Sequence, residues 1–484
     1  MRRRVLPLGA ALAAALALAG CALGPRYHPA ATPAAGRGPF VSATPGIADA
    51  DAPPPDWWRL YQDPALDRLV GEALANNADL KVAAANLARA RGVLQEARAG
   101  RFPATQVQAG ATYGKSATAN LVATLDGTRA RPGWLYDGQF DVSYEVDLFG
   151  RISRTIEAAR ADAEAVQAAE DVARITAAAE TARAYADACG YAAQARVARE
   201  SVDLTGQLFD LTTRQRDLGA VSDFEVASAG AVFDQAKAAL PPLEAGQRSS
   251  LFELAVLTGH APEEVSAEAA GCQATPQLAQ LLPTGDGAAL LRRRPDVRQA
   301  DRALEADTAR IGVAMADLFP TVSLNGSAAQ AGANGAQLTS SRGFSFAVGP
   351  LITWSFPNLL VASARVKEAR AQASSSLAGF DSVVLQALKE VEQALTTYNG
   401  ELQRRAALAG ARDQSATAYK LAQIQFQDGA IGFPDLLQSE RSLVIAENQL
   451  AASDQALVDD QVAVFKALGG GWEQAPAVTL PVVR

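Results

Sequence analysis

The side chains in this chain best suited to nucleophilic or metal chemistry are three cysteines and two histidines. Cys21, Cys189, Cys272, His28 and His260 form no Cys-x-x-Cys or His-Glu-x-x-His spacing, and there is no Gly-x-Ser-x-Gly or P-loop motif. After the N-terminal apolar run the chain contains a single methionine, which does not support a thioether pathway for soft metals. The sequence therefore predicts neither an enzyme nor a metal or cofactor site.

One of these thiols, Cys21, stands where a different chemistry is expected. Arg2-Arg3-Arg4 precedes an apolar run, Val5–Ala17, that is too short for the about 20 residues of a spanning helix and is typical of an export signal. Leu18-Ala19-Gly20-Cys21 ends this run and resembles a bacterial lipobox, in which the thiol is lipidated. Ala22 in place of Asp favours sorting to the outer membrane. We predict a lipoprotein signal peptide at 1–20; an ordinary signal peptide with a chance cysteine is the alternative.

The composition of the mature chain limits the kinds of partner that it can bind and the ways in which it can cross a membrane. The 484 residues carry a net charge of −8, and removal of the three signal arginines makes it −11, which argues against a surface that binds nucleic acid. No run after the signal has the length and low charge of a transmembrane helix. A membrane crossing by the mature chain must then use β-strands.

The chain contains a tandem duplication. Phe102-Pro103 and Phe319-Pro320 stand 217 residues apart, whereas Gly219 and Gly429 stand 210 apart. A chance alignment of alanine-rich helices would not preserve these landmarks in the same order. We expect a sequence of segments that repeats one plan: a lipidated linker at 21–65, a first repeat at 66–275, a second repeat at 276–470 and a C-terminal tail at 471–484.

Each half is predicted to contain two strands and two long helices. Alternation of apolar and polar residues indicates strands at about 104–115, 138–147, 321–330 and 343–354. Apolar residues in steps of three and four indicate helices at 151–218, 222–258, 360–427 and 434–468. The first would be roughly 100 Å long at 1.5 Å per residue. A soluble hairpin in each half is the alternative interpretation of the strands.

Strand counting predicts an oligomer. Four strands cannot close a membrane barrel, whose smallest members have about eight. Open strand edges are not tolerated in lipid, so several chains must share one barrel. Three chains would supply twelve strands.

Several motifs together resemble the TolC-like outer-membrane factors, in particular their NodT/OprM-like lipoprotein branch. Trp57–Leu66 is similar to the opening signature of that branch, and Leu290–Val297 is similar to its mid-chain hallmark, with Asp301 where Glu is more usual. Asp147-Leu148-Phe149-Gly150 matches the junction between strand and helix. The resemblance covers essentially the whole mature chain. From the residue types alone, Trp57 and Trp58 are expected to pack the N-terminal segment and to bind nothing.

The resemblance implies a mixed α and β tandem-repeat channel: long antiparallel coiled-coil hairpins and four strands per chain in a trimeric 12-stranded transmembrane barrel. It implies a lipid-anchored outer-membrane protein with a periplasmic tunnel, the passive exit duct of a tripartite efflux pump for small toxic molecules or drugs. The implied partners are two further copies, outer-membrane lipid, a periplasmic adaptor and a proton-driven or ATP-driven inner-membrane transporter. An outer-membrane component of type I protein secretion and a non-channel coiled-coil lipoprotein are the alternatives.

The resemblance also implies where such a duct docks and closes. The two periplasmic tips surround the glycine turns, which places Gly219, Ser222, Gly429 and Phe433 at the adaptor. The aperture lies just before the second tip in the family, often with acidic side chains. Here that stretch offers Gln423, Gln427 and Asp428, so a ring of carboxylates is not supported.

The two remaining cysteines are expected at comparable distances from the first periplasmic tip. Cys189 stands roughly 45 Å from the first tip, and Cys272 follows the returning helix after roughly 60 Å of climb. We expect a disulfide between Cys189 and Cys272 in an oxidising compartment; two free thiols are the alternative.

Overall fold

The computed structural model describes residues 22–44, 48–49, 51–115, 117–278, 281–356, 359–473 and 475–480. The predicted signal peptide and Cys21 lie outside the described residues.

The elements of the two halves follow the same order. The helices are α1 Pro64–Asn76, α2 Ala78–Ala99, α3 Ala117–Leu125, α4 Arg151–Asp217, α5 Asp223–Leu257, α6 Gly287–Arg293, α7 Pro295–Ala316, α8 Leu359–Gln427 and α9 Phe433–Ala467. The strands of the main sheet are β1 Ala104–Gly114, β2 Gly133–Val146, β3 Thr321–Gly332 and β4 Phe344–Thr353. Short helical turns cover Ala34–Arg37, Trp57–Tyr61, Ala267–Ala270, Gly335–Leu338 and Ser341–Gly343, and Ala48–Asp49 pairs in parallel with Leu282–Pro283.

The four long helices begin and end within one residue of their predicted bounds. The 35 residues of α5 remain helical across Pro241 and Pro242, although proline normally breaks a helix. Both prolines are exposed. Three residues after Pro241, Glu244 of α5 accepts a hydrogen bond of 2.9 Å from Arg199 of α4.

The main sheet is antiparallel in the order β1-β2-β3-β4. Its register aligns Val107, Phe140, Ala328 and Phe346 in one row across all four strands. The next row contains Gln108, Gln139, Ala329 and Ser345. Successive rows point to opposite faces, so one face is apolar and the other mostly polar.

Strand β2 begins five residues earlier than predicted. Because β1 extends to Gly114, its partner must extend to Gly133, and the ladder pairs Gly114 with Gly133 and Gly110 with Asp137. The helix α3 in the connection between these strands was not predicted.

The chain forms two compact units. The first comprises the described residues within 22–30, 88–165 and 301–379 and contains the main sheet. Asp147 accepts hydrogen bonds from the backbone N–H groups of Ile152 and Ser153, at 3.0 and 2.8 Å, and so caps the start of α4. Phe149 stacks on Phe319 with ring centroids 4.7 Å apart.

The second unit comprises the described residues within 31–87, 166–300 and 380–480. Trp57 lies in its core and stacks on Phe465 with centroids 4.7 Å apart, and Trp58 is buried beside it. Both tryptophans therefore pack the N-terminal segment, as their residue type suggested.

Among the described residues, no helix combines the length and apolar character needed to cross a membrane.

Candidate functional site

The turn between α4 and α5 ends one helix and starts the next within five residues. Gly219 has a φ of +74°, a conformation that disfavours any side chain, and the N–H of Ala220 donates to the carbonyl of Gln215 at 2.8 Å. Glu225 accepts from the backbone N–H of Ser222 at 2.6 Å and so caps the second helix. Backbone and side-chain bonds therefore define this tip, which we call the first tip (residues 218–225).

The turn between α8 and α9 repeats this geometry at an offset of 210 residues. Gly429 has a φ of +72°, and the N–H of Ala430 donates to the carbonyl of Gln425 at 2.8 Å. Asp435 accepts from the N–H of Gly432 at 3.3 Å, in the place of Glu225. We call residues 428–435 the second tip. No atom lies within 4 Å of the Cβ position at Gly219 or Gly429, so both turns have open space around them.

Phe433 does not belong to the accessible surface of the second tip, which corrects the sequence expectation. Its side chain is 5 % exposed and packs with Ala229 and Leu437, with its ring centroid 6.3 Å from that of Phe426. An aromatic residue at the first position of a helix can fold back onto its neighbours. Here it joins the first hairpin, formed by α4 and α5, to the second hairpin, formed by α8 and α9. Phe433 is a packing residue, whereas Ser222 is exposed as expected.

Two apolar side chains of the first tip are exposed although the sequence analysis did not single them out. Leu218 is 84 % exposed and Phe224 is 76 % exposed. Their position on either side of the Gly219 turn was the available signal, but it does not separate them from Phe433, which also stands beside a turn and is buried. They form an apolar patch on the first tip.

The three candidate aperture residues lie together at the end of α8. Gln423 and Gln427 are one helical turn apart, and Asp428 is the next residue. All three are exposed in this chain. No carboxylate other than Asp428 stands among them.

Cys189 and Cys272 are joined by a disulfide with a Cα–Cα distance of 5.1 Å. Cys189 lies in α4 and is fully buried, whereas Cys272 lies in the segment after α5. The bond ties that segment to the long helix.

The residues directly after Cys21 are held at the junction between β2 and α4. The N–H of Leu23 donates to the carbonyl of Phe149 at 3.3 Å, and Arg154 donates to the carbonyl oxygens of Leu23 and Gly24 at 3.0 and 3.3 Å. A Cβ on Gly150 would lie 2.6 Å from the Cα of Ala22. We call residues 22–24 the anchor segment.

A second contact fixes the chain a few residues further on. Tyr27 donates a short hydrogen bond to Asp301, and the guanidinium of Arg302 lies 5.7 Å from the Tyr27 ring centroid. Asp301, the residue that departs from the family pattern, thus accepts a hydrogen bond from the N-terminal segment.

The Arg-Arg-Arg-Pro-Asp motif of the second half is structural. Arg294 donates to Asp296 and Glu390 at 2.6 and 2.8 Å and to the carbonyl of Ala467 at 2.8 Å. Burial opposes the charge of Arg294, but its two carboxylate partners raise its pKa above the ordinary value. The motif thus joins α7, α8 and α9. Within the described ranges, no group of three or more His, Cys, Asp or Glu side chains could hold a metal ion.

Comparison with known proteins shows which proteins this chain resembles. Residues 69–260 and 288–470 match the family described as outer membrane efflux protein. The chain is 28 % identical over 474 residues to nodulation protein T of Rhizobium leguminosarum bv. viciae, covering 96 % of this chain and 94 % of that protein. It is 29 % identical over 480 residues to the toluene efflux pump outer membrane protein TtgC of Pseudomonas putida, covering 95 % and 94 %.

Among solved structures, the fold is similar to that of the outer-membrane channel OprN. The TM-score is 0.85 at 33 % sequence identity, and the match covers 93 % of this chain and 100 % of the other. The Campylobacter jejuni CmeC outer membrane channel has the same fold, with a TM-score of 0.85 over 94 % of this chain and 96 % of the other, at 20 % identity.

Proposed function

Because this chain belongs to the outer membrane efflux protein family, we propose that it forms the outer-membrane exit duct of a tripartite efflux pump. Such a duct conducts its cargo passively, and the inner-membrane transporter supplies the energy. The name of the relative TtgC refers to toluene efflux, which supports small apolar molecules as cargo.

The observation that carries the proposal is the two-faced main sheet. Its apolar row, with Val107, Phe140 and Phe346, is exposed in the single chain, where contact with water is unfavourable. Aromatic side chains gather at both ends of the strands. Tyr113, Trp134, Tyr136, Phe344 and Phe346 lie at one end, and Phe102, Phe319, Trp354 and Phe356 lie beyond the other. This distribution fits strands whose apolar face meets lipid and whose aromatic ends meet the headgroups.

The sheet edges support a trimer. Within the described residues, neither β1 nor β4 has a partner strand on its outer side. Unpaired backbone groups cost several kcal/mol each in hydrocarbon, so neighbouring copies must pair with both edges. Three copies would bring twelve strands into one closed sheet.

The two tips support docking of a periplasmic adaptor. Both turns have open space around a glycine, and the first tip carries the exposed patch of Leu218 and Phe224. Exposed apolar side chains at the end of a long hairpin suit an end-on contact with another helical protein. The inner-membrane partner is a transporter driven by protons or by ATP.

Lipidation at Cys21 supplies the anchor in this proposal. Ala22, which follows Cys21 in the sequence, belongs to the anchor segment. That segment packs beside Phe149 and Gly150, where β2 ends. Acyl chains on Cys21 would therefore enter the bilayer close to the strands.

Two measurements on purified full-length protein test the duct. Native mass spectrometry in detergent should give three copies per particle, and a stable monomer with intact β-content would contradict the shared sheet. In planar bilayers the trimer should conduct ions, and Asp428→Asn should change the conductance if Asp428 lines the aperture. A trimer that never conducts, even after removal of the second tip, would contradict a duct.

A further inference from the structure

Glu440 is a buried carboxylate for which the fold provides no partner. It lies in α9, seven residues after Phe433, and its side chain is 1 % exposed. Among the described residues, neither of its carboxylate oxygens has a hydrogen-bond partner. Buried carboxylates are normally paired or hydrogen-bonded, because an isolated charge in a dry interior is strongly unfavourable.

The duplication shows how unusual this position is. At the offset of 210, Glu440 corresponds to Gly230 of the first hairpin, and Tyr419 corresponds to Phe209. In the first hairpin the two residues pack closely, since a Cβ on Gly230 would lie 3.2 Å from the Phe209 ring. In the second hairpin an acid replaces the glycine, and a phenol replaces the phenyl ring. The second hairpin alone thus contains a titratable pair.

Tyr419 links Glu440 to the candidate aperture. Burial raises the pKa of Tyr419, the charge of Glu440 raises it further, and a hydrogen bond with Gln423 opposes both effects. Gln423 is one of the exposed residues near the end of α8. A change of charge at Glu440 therefore acts on Tyr419, which is hydrogen-bonded to the candidate aperture residue Gln423.

In the described part of the chain, no cation compensates a negative charge on Glu440. From α8 the titratable neighbour is Tyr419, and no charged group in the described part of the chain contributes to the titration of Glu440. An apolar cluster toward the tip includes Phe433 and Leu437, which precede Glu440 in α9. Its other members come from α4, α5 and α8: Leu208, Phe209, Ala229, Val232 and Phe426. Burial raises the pKa of Glu440 to about 7.

We propose that Glu440 makes opening of the second hairpin depend on pH: neutral Glu440 keeps α9 packed, and ionised Glu440 favours a state in which α9 loosens and the carboxylate meets water. This inference rests on the proposed function, because the helix that loosens, α9, belongs to the same hairpin as the candidate aperture residues of α8 and begins at a docking tip.

Linkage sets the direction and size of the effect. A solvated Glu titrates near its ordinary pKa of about 4.3, whereas the packed one titrates near 7. The packed state of α9 is most stable when the pH is below the ordinary pKa of Glu. Its stability falls as the pH rises through about 7 and changes little above that. Between pH 6 and pH 8 the opening equilibrium should increase about tenfold.

Hydrogen exchange of the purified full-length trimer tests the proposal. Peptides covering residues 419–443 should exchange about tenfold faster at pH 8 than at pH 6, after correction for the intrinsic pH dependence of exchange. Glu440→Gln and Glu440→Leu should both remove this difference. Asp413→Asn, which removes an exposed carboxylate from the same hairpin, should retain it.

An equal pH response in wild type and Glu440→Gln would overturn the proposal, as would a wild type without a pH response. The leucine variant guards against misfolding of the glutamine variant, because it replaces the acid by an apolar side chain of similar size. The measurement uses neither adaptor nor cargo. A failure of efflux with a normal exchange response would therefore count against the proposed function alone.

Discussion

The guanidinium Nε of Arg154 lies 3.0 Å from the carbonyl oxygen of Leu23 and donates a hydrogen bond to it. Arg154 is 4 % exposed, so this bond and the one to Gly24 are shielded from water. Hydrogen bonds from a charged donor contribute about 1.5–3 kcal/mol each. The contact therefore holds the residues after Cys21 firmly against the start of α4.

Arg154→Ala should release the anchor segment. Loss of two charge-assisted hydrogen bonds should increase its local opening by at least about tenfold. Trypsin cleavage after the exposed Arg26, followed by mass spectrometry of the native protein, measures this opening. Arg160→Ala, an exposed arginine of the same helix, is the matched control and should leave the rate unchanged. Equal cleavage rates in all three proteins would refute the assigned contact.

Gly312→Leu should have the same effect by a steric route. A Cβ at Gly312 would lie 2.6 Å from the carbonyl oxygen of Leu23, so a larger side chain cannot fit while the segment is bound. Gly92→Leu is its control, because a Cβ at that helical glycine has no atom within 4 Å. The same trypsin assay distinguishes the two variants. An unchanged cleavage rate in Gly312→Leu would mean that the anchor segment does not pack against Gly312.

Cys21→Ser should abolish acylation of the mature protein. The serine hydroxyl cannot replace the thiolate that accepts the lipid, so labelled palmitate should no longer be incorporated. The contacts of residues 22–24 with Phe149 and Arg154 are made by backbone groups of Leu23 and Gly24, and the trimer should still form. Continued incorporation of labelled palmitate into the variant would contradict lipidation at Cys21.

Thiol counting should detect the bond between Cys189 and Cys272. We expect no reactive thiol in the unfolded, unreduced mature protein and two after reduction. Because the bond closes a loop over a separation of 83 residues, Cys272→Ser should lower the free energy of unfolding by about 4 kcal/mol. Two reactive thiols before reduction would show that the bridge is absent.

Changes at the tips should impair efflux without loss of the trimer. Leu218→Asp and Phe224→Asp remove the apolar patch, and because both side chains are exposed the fold should lose little stability. Gly429→Trp puts a bulky side chain at a positive φ, which costs about 1 kcal/mol or more. Gly410→Trp, at an exposed glycine inside α8, is the control. Normal efflux by all three tip variants at normal protein level would contradict docking at the tips.

Much of the fold was predictable because local signals and the duplication agree. Phe-Pro ends helices, Gly219 and Gly429 end the long ones, and alternation marks each strand. The helices follow these signals to within one residue, and the disulfide lies where helix lengths suggested.

The remainder depends on contacts between residues distant in sequence. The burial of Phe433 requires the other hairpin. The burial of Glu440 likewise depends on neighbours that periodicity does not identify. At the first tip, Leu218 and Phe224 were visible in the sequence, but only the structure distinguishes exposed apolar residues from those that fold back.

The most direct test of the central claim is the accumulation of a fluorescent apolar dye in cells of the source bacterium. If this chain is the exit duct of an efflux pump, deletion of its gene should raise steady-state dye accumulation severalfold. The wild-type gene should restore the low level, and the Gly429→Trp variant at equal outer-membrane abundance should not. Dye accumulation that is the same with and without the gene, tested over a panel of small apolar compounds, would contradict the account.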